Sequence, residues 1–131
     1  MAVMLICLLI TMVMPMLAKA PVALAMNRLD GYDNRHPREQ QARLTGFGAR
    51  ALAAHNNCFE ALTYFAPATI AVMALGAIDE TAKWLAITFV VCRVLYLIMY
   101  WMDLDKLRST VWIVAFGCSI ALVARLLLAF G

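Results

Sequence analysis

The stretch Arg50-Ala51-Leu52-Ala53-Ala54-His55-Asn56-Asn57-Cys58-Phe59-Glu60 puts charged and amide side chains inside a long segment, from about Phe47 to Ile78, that is otherwise mostly Ala, Leu, Phe, Val and Met. An ionisable group at membrane depth costs about 2.5 to 3.5 kcal/mol even on the lenient insertion scale. A chain carries that cost where such groups face one another, a water-filled cavity or a polar ligand. The segment therefore predicts a binding site built inside a helical membrane protein.

The flanking sequence is of the same kind. Of 131 residues, 65% are hydrophobic and 15% charged, where a soluble domain has about 45 to 50% and about 25%. The excess falls into four apolar blocks, which predict helices at about 2–26, 47–78, 84–102 and 109–130. The expected class is all-α integral membrane, a four-transmembrane-helix bundle in one domain, 1–131. Pro15 and Pro21 predict a kink in the first block, since neighbours can satisfy the backbone groups that proline frees. Ala18-Lys19-Ala20 has the look of a signal-peptidase site, but no charge precedes Lys19. A signal peptide carries its positive charge before the apolar run, so the first block is read as a retained helix. The net charge of +3 is dispersed, with no basic stripe of the kind that reads phosphate, so nucleic acid is not an expected partner.

Between the first two blocks lies a polar stretch, Asn27 to Thr45, with turn chemistry at Asp30 to Asn34 and a non-helical step at His36-Pro37. Arg28, Arg35, Arg38 and Arg43 in this loop, with Lys106 and Arg108 in the third, outnumber Lys83 in the second. The positive-inside rule then places the first and third loops in the cytoplasm and both termini on the opposite side.

Arg50, Asn57 and Glu60 are seven and three residues apart, so a helix presents them on one face. A guanidinium, an amide and a carboxylate suit a zwitterionic ligand; the same set also suits a structural network locking helices together. Arg93, Tyr96 and Tyr100 share a face of the third block, and Glu60 is the expected mate for Arg93. Arg108, at the boundary of the fourth block, is an ordinary positive-inside anchor unless it faces the same cavity, where it would stabilise an anion such as a thiolate. His55 and Glu60 lack the spacing of a helical metal-ligand pair, and no metal is expected. Cys7, Cys58, Cys92 and Cys118 lie one to a block and read as small apolar packing residues.

Ala54-His55-Asn56-Asn57-Cys58-Phe59-Glu60, preceded by Arg50, resembles the second-helix signature of the MAPEG superfamily, the membrane-associated proteins of eicosanoid and glutathione metabolism. Arg93-x-x-Tyr96-x-x-x-Tyr100 resembles that family's third-helix motif, and Arg108 stands near its arginine at the start of the fourth helix. Tyr32 to Arg35 is similar to a first-loop stretch of short bacterial members. The resemblance implies a homotrimer in the bacterial inner membrane. Glutathione, as co-substrate, would lie between subunits near the cytoplasmic face, and an apolar electrophile would enter from the lipid. It further implies that Arg50, His55, Asn57, Glu60, Arg93, Tyr96 and Tyr100 hold glutathione and that Arg108 is catalytic. Ala53 stands where leukotriene synthases of the family carry an arginine. The expected function is a glutathione-dependent transferase or peroxidase. The alternative is a non-catalytic membrane scaffold or lipid-binding protein of the same fold. A small proton-coupled exporter is disfavoured, because Lys19 is the first block's only charge.

Overall fold

A computed structural model of the chain describes residues 1–131. Four long helices and one short one follow in order: α1 (Ala2–Asp30), α2 (Pro37–Ala42), α3 (Gly46–Ala74), α4 (Glu80–Trp101) and α5 (Asp105–Phe130). Three of them, α1, α4 and α5, are long and apolar enough to cross a membrane, with mean hydropathies of 2.2, 1.8 and 2.3 over their most apolar stretches. The 29 residues of α3 give it sufficient length, but its polar side chains hold down its hydropathy.

The helix ends differ from the sequence expectation by about one turn, each for a local reason. α1 continues past Met26 to Asp30 and leaves the helix only at Gly31, whose φ of 80° suits a residue without Cβ. α3 stops at Ala74, short of Ile78, just before Gly76 turns at φ 66°. α4 begins at Glu80 rather than Trp84, because the Asp79 carboxylate accepts the backbone N–H of Ala82 at 2.8 Å and caps the helix. The polar loop contains α2, which sequence reading left out; its first residue is Pro37, whose fixed φ suits the start of a helix. The buried Gln40 side chain ties α2 down by donating to the backbone carbonyls of Met26 and Gly31.

The bundle pairs α1 with α3 and α4 with α5. On α3 the buried residues Ala51, Ala54, Cys58, Ala61, Phe65, Ala68 and Val72 recur every three or four positions. Most are small, so neighbouring backbones approach closely, as in membrane helix packing where apolar burial alone does not select a partner. Gly48 continues this close approach: a Cβ there would come within 3.1 Å of the Ala25 Cβ. In the middle of the bundle Phe65 of α3 stacks on Phe89 of α4, with ring centres 3.8 Å apart. All four cysteines are free and buried in these seams.

The small-residue seam also decides where the polar side chains of α3 go. At 100° per residue, Asn57 and His55 fall on opposite flanks of it. Asn57 looks toward α4 and His55 toward α1.

Candidate functional site

Arg93 is fully buried on α4. Its Nη2 donates to the Asn57 Oδ1 at 2.8 Å, and its guanidinium carbon lies 4.2 Å from the Tyr96 ring centre. The expected direct pairing with Glu60 is absent. Instead Asn57 stands between the two, donating its own amide N–H to a Glu60 carboxylate oxygen. The reason is reach: Glu60 lies one turn further along α3 and points outward into an exposed position, whereas Asn57 flanks the seam and faces α4. The Arg93 charge is thus coupled to a carboxylate through an amide whose carbonyl and amino ends each serve one partner. The Nε and Nη1 atoms of Arg93 are buried without hydrogen-bond partners in the single chain.

From Arg93 a ladder of cations and rings runs along α4 and crosses to α5. Tyr96 meets Tyr100 edge to face at 5.5 Å, and the Arg108 guanidinium carbon lies 4.2 Å over the Tyr100 ring. Rows at i, i+3 and i+7 on α4 put Arg93, Tyr96 and Tyr100 in line, and a sharp turn at Asp103 folds the start of α5 back beside them. Ring faces carry negative potential, so the Arg108 guanidinium is held over Tyr100 without a carboxylate, and that of Arg93 rests on Tyr96 without touching one directly.

Tyr96, Tyr100 and Arg108 line a cavity of about 380 Å³ together with Ser109, Trp112 and Ile113. This lies in the size range of small-molecule sites. The combination is one cation, two phenol hydroxyls and an apolar wall, suited to a ligand with an anionic end and an apolar neighbour. Sequence reading missed Ser109, Trp112 and Ile113. The signal for Trp112 was present, because it lies one helical turn beyond Arg108. Trp112 is braced from behind by Phe116, parallel at 5.4 Å, which in turn meets Tyr64 of α3 edge to face at 5.2 Å.

Arg50 reaches the same end of the bundle by another route. Its Nη1 lies 3.6 Å from an Asp103 carboxylate oxygen, in the turn between α4 and α5. His55 does not join the group. It is buried, and its Nδ1 lies 2.8 Å from the carbonyl oxygen of Pro15 on α1, on the far flank of α3 from Asn57. Of the eight residues singled out from sequence, the fold gathers Asn57, Glu60, Arg93, Tyr96, Tyr100 and Arg108 into one connected network. It sets Arg50 at the edge of that network and turns His55 away from it.

The family model described as MAPEG family matches residues 3–128. No curated protein and no solved structure matches the chain.

Proposed function

Because the chain belongs to the MAPEG family and is an integral membrane protein, we propose that it is a glutathione-dependent transferase or peroxidase acting on apolar electrophiles. The observation carrying this reading is the cavity bounded by Tyr96, Tyr100 and Arg108. A free thiol has a pKa of about 8.5, and a neighbouring cation lowers it. Arg108, held over Tyr100 but otherwise without an ion-pair partner, supplies that cation.

In this reading Asn57, Glu60, Tyr96 and Tyr100 hold the peptide, Arg50 and Arg93 supply positive charge, and Arg108 stabilises the thiolate. For conjugation, the thiol proton leaves to water and the sulfur forms a bond to the electrophilic carbon. The leaving group departs with its bonding pair. The apolar flank of half-buried Trp112 and exposed Ile113 supports entry of the electrophile from the lipid side. All four long helices then cross the inner membrane, α3 with its polar side chains turned inward. Three copies close the surface that leaves Glu60 exposed, with the first and third loops in the cytoplasm. The test is to titrate glutathione into detergent-solubilised protein and follow the ultraviolet absorbance of the thiolate, the form that a nearby cation favours. A signal that grows in the wild type and vanishes in Arg108→Ala supports the reading; no signal in the wild type removes it.

One observation favours a second reading, a non-catalytic scaffold or lipid-binding protein of the same fold. The Arg93–Asn57–Glu60 relay is what a structural lock between α3 and α4 would also use. In that case Tyr100→Phe is silent in glutathione binding, while Glu60→Ala lowers the mass of the oligomer.

A further inference from the structure

Four residues take a left-handed backbone. Three are glycines: Gly31, Gly46 and Gly76; the fourth is Asp103, at φ 62°. Glycine is the inexpensive choice at such a position, and a side chain there is strained. Asp tolerates the conformation better than most residues, but tolerance alone does not explain a carboxylate at this point of the chain.

Asp103 lies between two cavity residues. Its N–H donates to the Tyr100 carbonyl at 3.3 Å, the next N–H, of Leu104, donates to Met99 at 2.9 Å, and Leu104 accepts the Arg108 N–H at 2.9 Å. The turn therefore carries Tyr100 on one side and Arg108 on the other. The Asp103 carboxylate meets only Arg50, at 3.6 Å, an ion pair too long to be a hydrogen bond. Arg50 in turn has no other acidic partner, and its Nε is buried without an acceptor. A guanidinium with spare donors is thus parked against a loosely held, 69% exposed carboxylate, in the turn that joins the cavity residues Tyr100 and Arg108.

We infer that Asp103 sets the affinity of the site for an anionic ligand, its carboxylate occupying Arg50 until the ligand's own carboxylate takes that guanidinium. The inference rests on the glutathione reading above and adds to it a residue that competes with the ligand. Binding must then break the Arg50–Asp103 pair, and the ligand's apparent affinity is lower by what that pair contributes. A pair this long, with its carboxylate in solvent, contributes little, which corresponds to about a two- to fivefold change in Kd.

The test uses the full chain in detergent, with glutathione as the probe and calorimetric titration as the readout. Asp103→Asn keeps the side-chain size and tolerates the backbone; Asp103→Gly also relieves the strain. Both variants are expected to bind glutathione about two- to fivefold more tightly than wild type. Asp103→Asn placed on an Arg50→Ala background is expected to add nothing further. Wild-type binding with no tightening in Asp103→Asn overturns the inference and leaves the glutathione reading intact. Tightening in Asp103→Gly alone also overturns it, since that effect belongs to the backbone. No binding by wild type or either variant overturns both.

Discussion

The Arg108 guanidinium carbon sits 4.2 Å from the centre of the Tyr100 ring, joining the start of α5 to the end of α4 across the turn at Asp103. This contact makes a boundary arginine part of the cavity wall. It orients the cation by a ring face, leaving its N–H groups free for an anion. Arg108→Ala is therefore expected to lower turnover on the order of a hundredfold, the usual effect of deleting one preorganised donor to a developing anion. Glutathione binding should change much less. Arg108→Lys keeps the charge but loses the planar stacking group and should fall between. Steady-state kinetics with separate kcat and KM, beside calorimetric binding, distinguish these outcomes. Equal loss of binding in both variants would count against a catalytic role.

Asn57 is the only side chain that accepts a hydrogen bond from the buried Arg93. Replacing it by Ala leaves Arg93 only the long contact to the backbone carbonyl of residue 57, at 3.4 Å, and is expected to destabilise the protein by about 1.5 to 3 kcal/mol, the range for hydrogen bonds to charged groups. Glu60→Gln should have little effect on stability, because Glu60 is exposed. Thermal unfolding in detergent compares the two. A Glu60→Gln loss as large as that of Asn57→Ala would mean that the carboxylate, and not the amide, neutralises Arg93.

His55 ties α3 to α1 through the Pro15 carbonyl, on the flank away from the cavity. His55→Phe is expected to lower stability by about 1 kcal/mol, the typical net value of a hydrogen bond. Glutathione affinity should stay within about twofold, since no cavity wall is touched. A large affinity loss with unchanged melting temperature would place His55 in a site completed by a neighbouring copy.

Trp112 forms one apolar wall of the cavity and is held flat by Phe116. Trp112→Ala should raise KM for an apolar electrophile by roughly tenfold or more while leaving glutathione affinity nearly unchanged. The estimate follows from losing part of an aromatic side chain's contact area. Varying each substrate at fixed concentration of the other separates the two effects.

At the other end of the bundle, Asp79 caps α4 and pairs with Arg125 of α5. The Arg125 contact first, and the Ala82 N–H second, hold the Asp79 carboxyl below the ordinary carboxylate range. A depressed folded pKa contributes stability that is fully present above the unfolded value of about 3.9 and lost as pH falls through the lower folded value. Melting temperature measured from pH 6 down to about pH 3 should therefore fall less steeply in Asp79→Asn than in wild type. Parallel curves would show that the pair contributes nothing to the acid response.

The sequence by itself determined the class and the second-helix constellation. Apolar blocks of membrane length are a property of composition along the chain, and helical spacing alone puts Arg50, Asn57 and Glu60 on one face and Arg93, Tyr96 and Tyr100 on another. Only the tertiary structure decided who meets whom. Which face of α3 meets α4 depends on the close packing of Ala51, Ala54, Cys58 and Ala61. That packing sends Asn57 rather than Glu60 to Arg93 and turns His55 to α1. The short turn at Asp103 then decides that Arg108 closes on Tyr100, because an interhelical angle set by one left-handed residue leaves no trace in periodicity.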